Sequence, residues 1–170
     1  MDNPIPEEVN VNSAIRLLMP AVLAGLVTTV HPSTDHFPYR GEGHVIVNSD
    51  ALEWGPVASM PDGARMAVLE GDLGSEEPFT FRLKLPANFV VAPHTHPAYE
   101  RVTVLEGTFH FAHGREFDRD RTLPLRVGGF AVMAPGEPMF GYTEETTIIQ
   151  LHGTGPWGIE YINPEDDPRL

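Results

Sequence analysis

Phe79, Phe81, Leu83 and Leu85 alternate with Thr80, Arg82 and Lys84, the period of two that marks a strand with one face in a core. Arg82 and Lys84 then face outward, and their charge reads as a solvated face rather than as a substrate clamp. Further short apolar or alternating runs lie at Val45 to Val47, Met66 to Leu69, Phe89 to Ala92, Arg101 to Leu105, Thr108 to Phe111, Phe130 to Met133, Thr146 to Leu151 and Ile159 to Ile162. Turn residues separate most of them. The 17 prolines and 16 glycines are scattered without a repeat, which suits many short strands joined by tight turns better than long helices. The expectation is an all-β domain. At 170 residues and 41% hydrophobic content, it is large enough to bury its own core without a staple.

The chain has no cysteine, which removes disulfides, thiolate catalysis and Cys-based zinc or iron-sulfur sites. A formal charge of −13 repels phosphate backbones and anionic lipid surfaces, so neither nucleic acid nor membrane is an expected partner. Residues 1–43 lack alternation and read as an irregular N-terminal arm, with a short helix from about Ser13 that Pro20 would end or kink. Residues 44–163 read as the folded domain and 164–170 as an acidic, solvated tail. Leu17 to Val30 is a 14-residue run of mostly small and apolar residues, short of the roughly 20 that span a bilayer. Asp2, Glu7 and Glu8 against the single Arg16 precede it, and no clear small-x-small cleavage site follows. A cytoplasmic protein is expected, export by an atypical N-terminal signal being the alternative.

The chemistry concentrates in Pro93-His94-Thr95-His96-Pro97-Ala98-Tyr99-Glu100. Two histidines two apart on a strand project to one face, about 7 Å apart at the backbone, and both imidazoles can converge on one ion at about 2.1 Å. A continuing strand would carry Glu100 roughly 13 Å away. Pro97 disfavours that continuation, so the chain can turn through Ala98 and Tyr99 and return Glu100 to the imidazoles. Leu105-Glu106-Gly107-Thr108 fits a hairpin turn, because Gly107 tolerates positive φ.

His-x-His, three residues, Glu, six residues, Gly, filled by His94, His96, Glu100 and Gly107, resembles the first motif of the cupin superfamily. Gly129 with Pro135 resembles the start of the second. The resemblance implies a double-stranded β-helix, the cupin jelly-roll barrel, with one divalent metal (Fe, Mn, Zn or Ni) inside on His94, His96 and Glu100. It also implies a homodimer. Asn88 replaces the usual opening glycine of the first motif, a change a turn absorbs because Asn tolerates left-handed geometry. In the second motif, counting from Gly129 keeps Pro135 but puts Phe140 where a cupin supplies a fourth ligand, a histidine; counting from Gly128 keeps Gly136 and puts Met139 there. Neither is a good ligand for a hard divalent ion.

Three residues are weighed as replacements. His152 shares a face with Gln150, and both reach the interior if that face, rather than the one bearing Ile149 and Leu151, points inward. His113 lies opposite Glu100 if the Gly107 hairpin keeps register. Tyr142 has the parity of Phe140 and could offer a phenol, although a core tyrosine is the blander reading. His31, His36, His44 and His110 share no ligand spacing. Trp54 and Trp157 each precede a glycine and are expected to cover a barrel end with the indole N–H wet, stacking on a ligand being the alternative. The expected function is a metal-dependent enzyme acting on a small organic molecule by oxygenase, isomerase or lyase chemistry, or else a non-catalytic metal- or ligand-binding module; a barrel packed without metal is the third reading.

Overall fold

The computed structural model describes residues 38–170. The short helix near Ser13 and the run from Leu17 to Val30 lie outside the described residues. Eleven strands follow in chain order: β1 (Gly55–Pro56), β2 (Arg65–Glu70), β3 (Pro78–Leu85), β4 (Val90–Thr95), β5 (Glu100–Glu106), β6 (Thr108–His113), β7 (Leu123–Arg126), β8 (Phe130–Met133), β9 (Met139–Thr143), β10 (Thr147–Thr154) and β11 (Glu160–Tyr161). They form two antiparallel sheets, ordered β1-β2-β3-β10-β5-β8 and β11-β4-β9-β6-β7, which face each other as a jelly roll. Val45 to Val47 form no strand. Tyr39, in contrast, joins the sheet edge, its N–H donating to Leu69 O at 2.9 Å and its carbonyl accepting from Gly71 N at 2.8 Å.

The alternation of β3 becomes its burial pattern, with Phe79, Phe81, Leu83 and Leu85 in the core. β10 lies between β3 and β5, with Leu151 opposite Phe81 and Ile149 opposite Leu83. Ile149 and Leu151 therefore take the inner face, and Gln150 and His152 the outer one. Gln150 Oε1 accepts from Arg82 Nε at 3.0 Å on that outer face, and His152 stands between Thr80 and Arg101. Arg82 and Lys84 point outward as expected, with the Lys84 ammonium 4.5 Å from the centre of the Trp54 ring.

Gly107 does not make a hairpin. β5 belongs to the six-stranded sheet and β6 to the five-stranded one, so the chain turns a corner there and leaves one sheet for the other. Its φ of +72° is left-handed, and an added Cβ would come within 2.6 Å of Thr146 O and 2.7 Å of Thr147 Oγ1. A glycine that permits a tight turn is equally the residue for a corner, and the two have the same local sequence. The corner removes His113 from Glu100: His113 pairs with Met139 on β9, whereas Glu100 pairs with Met133 on β8. Asn88 adopts the left-handed φ of 59° that its turn demands.

β9 is buried on both faces. Its inner face carries Met139. Its outer face carries Phe140 and Tyr142, roofed by the segment after β6: the Phe117 ring meets Phe140 edge-on at 5.4 Å, and the Arg119 guanidinium lies 4.3 Å over Tyr142. His110 stacks on Tyr142 at 4.4 Å, outside the barrel, while Phe109 and Phe111 turn inward. At the chain end, Arg169 donates to Ile159 O at 3.0 Å and pairs with Asp167 at 2.7 Å.

Replacing Gly107 by Ala should lower the free energy of unfolding by about 3 kcal/mol, from left-handed strain together with overlap on Thr146 and Thr147. Urea denaturation of the variant checks this, and a loss below about 1 kcal/mol would mean the corner relaxes freely.

Candidate functional site

Strand β4 carries one residue more than its partner. Val91 pairs with Gly141 and His94 with Met139, so three steps on β4 match two on β9 and a bulge falls at Ala92 and Pro93. Proline, with no N–H to give to the ladder, suits that position. The bulge reverses the parity of the strand, so that His94 and His96 share the inner face with Val91; a regular ladder would turn Pro93 and Thr95 inward instead. It also leaves Ala92 O available, and His94 Nδ1 lies 2.7 Å from it. After Pro97 the chain turns through Ala98 and Tyr99, and Glu100 opens β5 with its side chain inward, 2% exposed.

The three groups meet. His94 Nε2 is 3.1 Å from His96 Nε2, and His96 Nε2 is 3.4 Å from Glu100 Oε2. His96 Nδ1 lies 2.6 Å from Gly158 O. A carbonyl oxygen only accepts, so both Nδ1 atoms carry hydrogen and, in neutral rings, both Nε2 atoms present bare lone pairs to each other. Burial pushes the pKa of His94 down to about 3, with the neighbouring His96 adding to the shift and the bond to Ala92 O opposing it. Burial likewise raises Glu100, against the pull of His96 and Trp157.

Trp157 is the member that sequence reading missed. Its Nε1 donates to Glu100 Oε2 at 2.8 Å, its ring stacks on His96 at 5.1 Å, and its edge meets Phe81 at 4.8 Å. Its N–H is therefore spent on a buried carboxylate instead of on water. A Trp-Gly pair signals a nearby turn and nothing of a partner 57 residues away.

These donors sit at the end of a cavity of about 30 Å³ whose other walls are apolar, among them Leu83, Val102, Phe109, Met60 and Met139. Of the residues weighed as a fourth ligand, Met139 alone lines it. Phe140 and Tyr142 occupy the opposite face of β9, Gln150 and His152 the outer face of β10, and His113 is exposed at the end of β6 with its ring 5.3 Å from Phe111. Gly128 and Gly136, the glycines of the motif register that ends on Met139, both have left-handed backbone, with φ of 80° and 76°. Among the described residues no three His, Asp or Glu side chains form a ready-made metal cage; here the donors are drawn to hydrogen-bonding distance and Glu100 is turned to Trp157. The donor set itself fits a cation, since spacings of 3.1 and 3.4 Å are those of adjacent ligands each about 2.1 Å from a shared ion, and both imidazoles are anchored through Nδ1 as ligating histidines are.

Two facing antiparallel sheets, with paired imidazoles and a carboxylate sealed between them, define a jelly-roll barrel with an internal polar site. The fold is that of the cupins. Residues 42–120 match the ChrR cupin-like domain model, a span that includes His94, His96, Glu100 and Gly107. The polyketide cyclase RemF from Streptomyces resistomycificus has a similar structure, with a TM-score of 0.62 at 18% identity over 75% of this chain and 91% of that one. An RmlC-like cupin from Shewanella frigidimarina gives 0.53 at 13% identity over 66% and 91%. The DMSP lyase DddQ from Ruegeria pomeroyi gives 0.50 at 19% identity over 62% and 57%. At these identities the likeness is one of fold. No curated protein matches the chain in sequence.

Trp157→Phe keeps the ring on His96 but strips Glu100 of its donor, and should cost about 1–3 kcal/mol of stability near neutral pH. Chemical denaturation reads the loss, and an unchanged midpoint would show that the indole N–H adds nothing to holding the carboxylate.

Proposed function

We propose that this protein is a metal-dependent cupin that acts on a small organic molecule at a cation held by His94, His96 and Glu100. The observation that carries the reading is the convergence of the two Nε2 atoms, 3.1 Å apart, with the Glu100 carboxyl 3.4 Å from one of them, which in neutral rings leaves two lone pairs facing each other. A buried arrangement of that kind is costly unless a positive charge completes it. A bound ion would supply Lewis acidity, or oxygen chemistry in the case of iron. The chain's own part is orientation and exclusion of water. Ala92 O and Gly158 O hold the two imidazoles in the tautomer that points Nε2 into the cavity, the Trp157 N–H steadies one carboxylate oxygen, and the apolar walls keep bulk water from the reacting centre.

A second reading, a metal- or ligand-binding module without turnover, is favoured by the cavity itself. Its volume of about 30 Å³ is room for one or two waters, and beyond Glu100 and the two histidines its lining offers no acid or base. The match to the ChrR cupin-like domain model is compatible with either reading.

Purified protein should hold close to one equivalent of cobalt(II) after loading and dialysis, and the double variant His94→Ala, His96→Ala should hold none. Retention of the ion by that variant would refute the assignment. His152→Ala should leave the affinity unchanged, since its imidazole lies on the outer face of β10. Oxygen uptake and product analysis against a panel of small phenols, diketones and acids separate the two readings: turnover by the loaded protein supports the enzyme, and a loaded but inert protein supports the module.

A further inference from the structure

Met139 stands directly opposite His94 in the antiparallel register. It is 3% exposed, lies on the inner face of β9 and lines the same cavity as His94, His96 and Glu100. Cross-strand neighbours on one face have Cβ atoms about 5 Å apart, so a flexible thioether there has the reach of the imidazole across from it. Met60 enters the cavity from the loop before β2, a second thioether against the same space. Apart from the two histidines, Glu100 and the Trp157 indole, the lining carries no side-chain nitrogen or oxygen.

We propose that Met139 is a ligand and that its thioether makes this a site for a soft ion, copper(I), in preference to zinc or the harder divalent ions; the inference rests on His94, His96 and Glu100 being a cation site. Hard ions complete their coordination with oxygen, and the apolar walls offer room for little of it, whereas thioether and imidazole donors together suit copper(I). Charge favours the same choice. One carboxylate and one monovalent ion leave the cavity neutral, while a divalent ion leaves a net positive charge among aliphatic side chains, where an unbalanced charge is costly. The competing role for Met139 is packing alone, which its flexibility also serves, and leucine preserves its volume without its sulfur.

The experiment is an anaerobic titration of the full chain with copper(I) against a chromogenic copper(I) chelator, with cobalt(II) titrated in parallel, for wild type and Met139→Leu. Copper(I) affinity should fall roughly tenfold or more in the variant while cobalt(II) affinity stays within about threefold. In protein labelled with ¹³C at the methionine methyls, the resonance absent from Met139→Leu should move when wild type takes up copper(I). Equal copper(I) affinity in both proteins, an equal loss for both ions, or an unmoved methyl resonance would overturn the thioether ligand and leave the cation site standing. Uptake of either ion that survives His94→Ala, His96→Ala would instead overturn the cation site, and this inference with it.

Discussion

One extra residue in β4 decides what the interior of this barrel contains. A strand offers alternate side chains to its two faces, and a shift of one residue exchanges them all. The bulge at Ala92 and Pro93 makes that exchange midway, so the apolar face that begins with Val91 becomes, three residues later, the face bearing two imidazoles. The rest of the polar site builds on it. The turn at Pro97 matters because the histidines already point inward, and Trp157 and Gly158 matter because there is a buried carboxylate and a buried N–H for them to meet.

The arrangement is paid for in desolvation. His94, His96 and Glu100 are at most 4% exposed, and each would prefer water to hydrocarbon. Two carbonyls and one indole recover part of that cost by hydrogen bonding, yet in neutral rings they leave the space between the donors unserved, with both Nε2 lone pairs facing it. The rest of the interior is built as an ordinary core, with Phe79, Phe81, Leu83 and Leu85 on one wall and Phe109 on another. The polar cluster is therefore an exception held inside a fold that does not need it for packing.

What could be read in the chain follows from how far each signal reaches. The β3 alternation, the convergence of His94, His96 and Glu100, the left-handed Asn88 and the outward His110 all depend on spacings of a few residues, and the structure bears each of them out. The failures are all cases in which a long-range pairing decided the outcome. Gly107 permits a turn, but whether the turn makes a hairpin or a corner depends on the strands beyond it, and the corner took His113 away from Glu100. Alternation grouped Gln150 with His152 without saying which face was buried; packing of Leu151 against Phe81 decided it. Trp157 resembled an end cap because nothing local connects it to Glu100, and which of Phe140 and Met139 meets the cavity waited on the packing of β9 between β4 and β6.

The separation between the donors and their supports has a bearing on the order of events in folding. His94, His96 and Glu100 fall within seven consecutive residues, whereas the groups that orient Glu100 and His96, Trp157 and Gly158, come 57 and 62 positions later than the side chains they hold. Contacts of such sequence separation form late, because the closure of long loops precedes any return on it. While the chain is still folding, His94 has its local partner in Ala92 O, whereas the His96 imidazole and the Glu100 carboxylate are without the groups that orient them. Their geometry becomes single-valued only when β10 has inserted between β3 and β5 and brought the following loop across the barrel, which makes docking of that one strand the event that turns a polar sequence into a defined site.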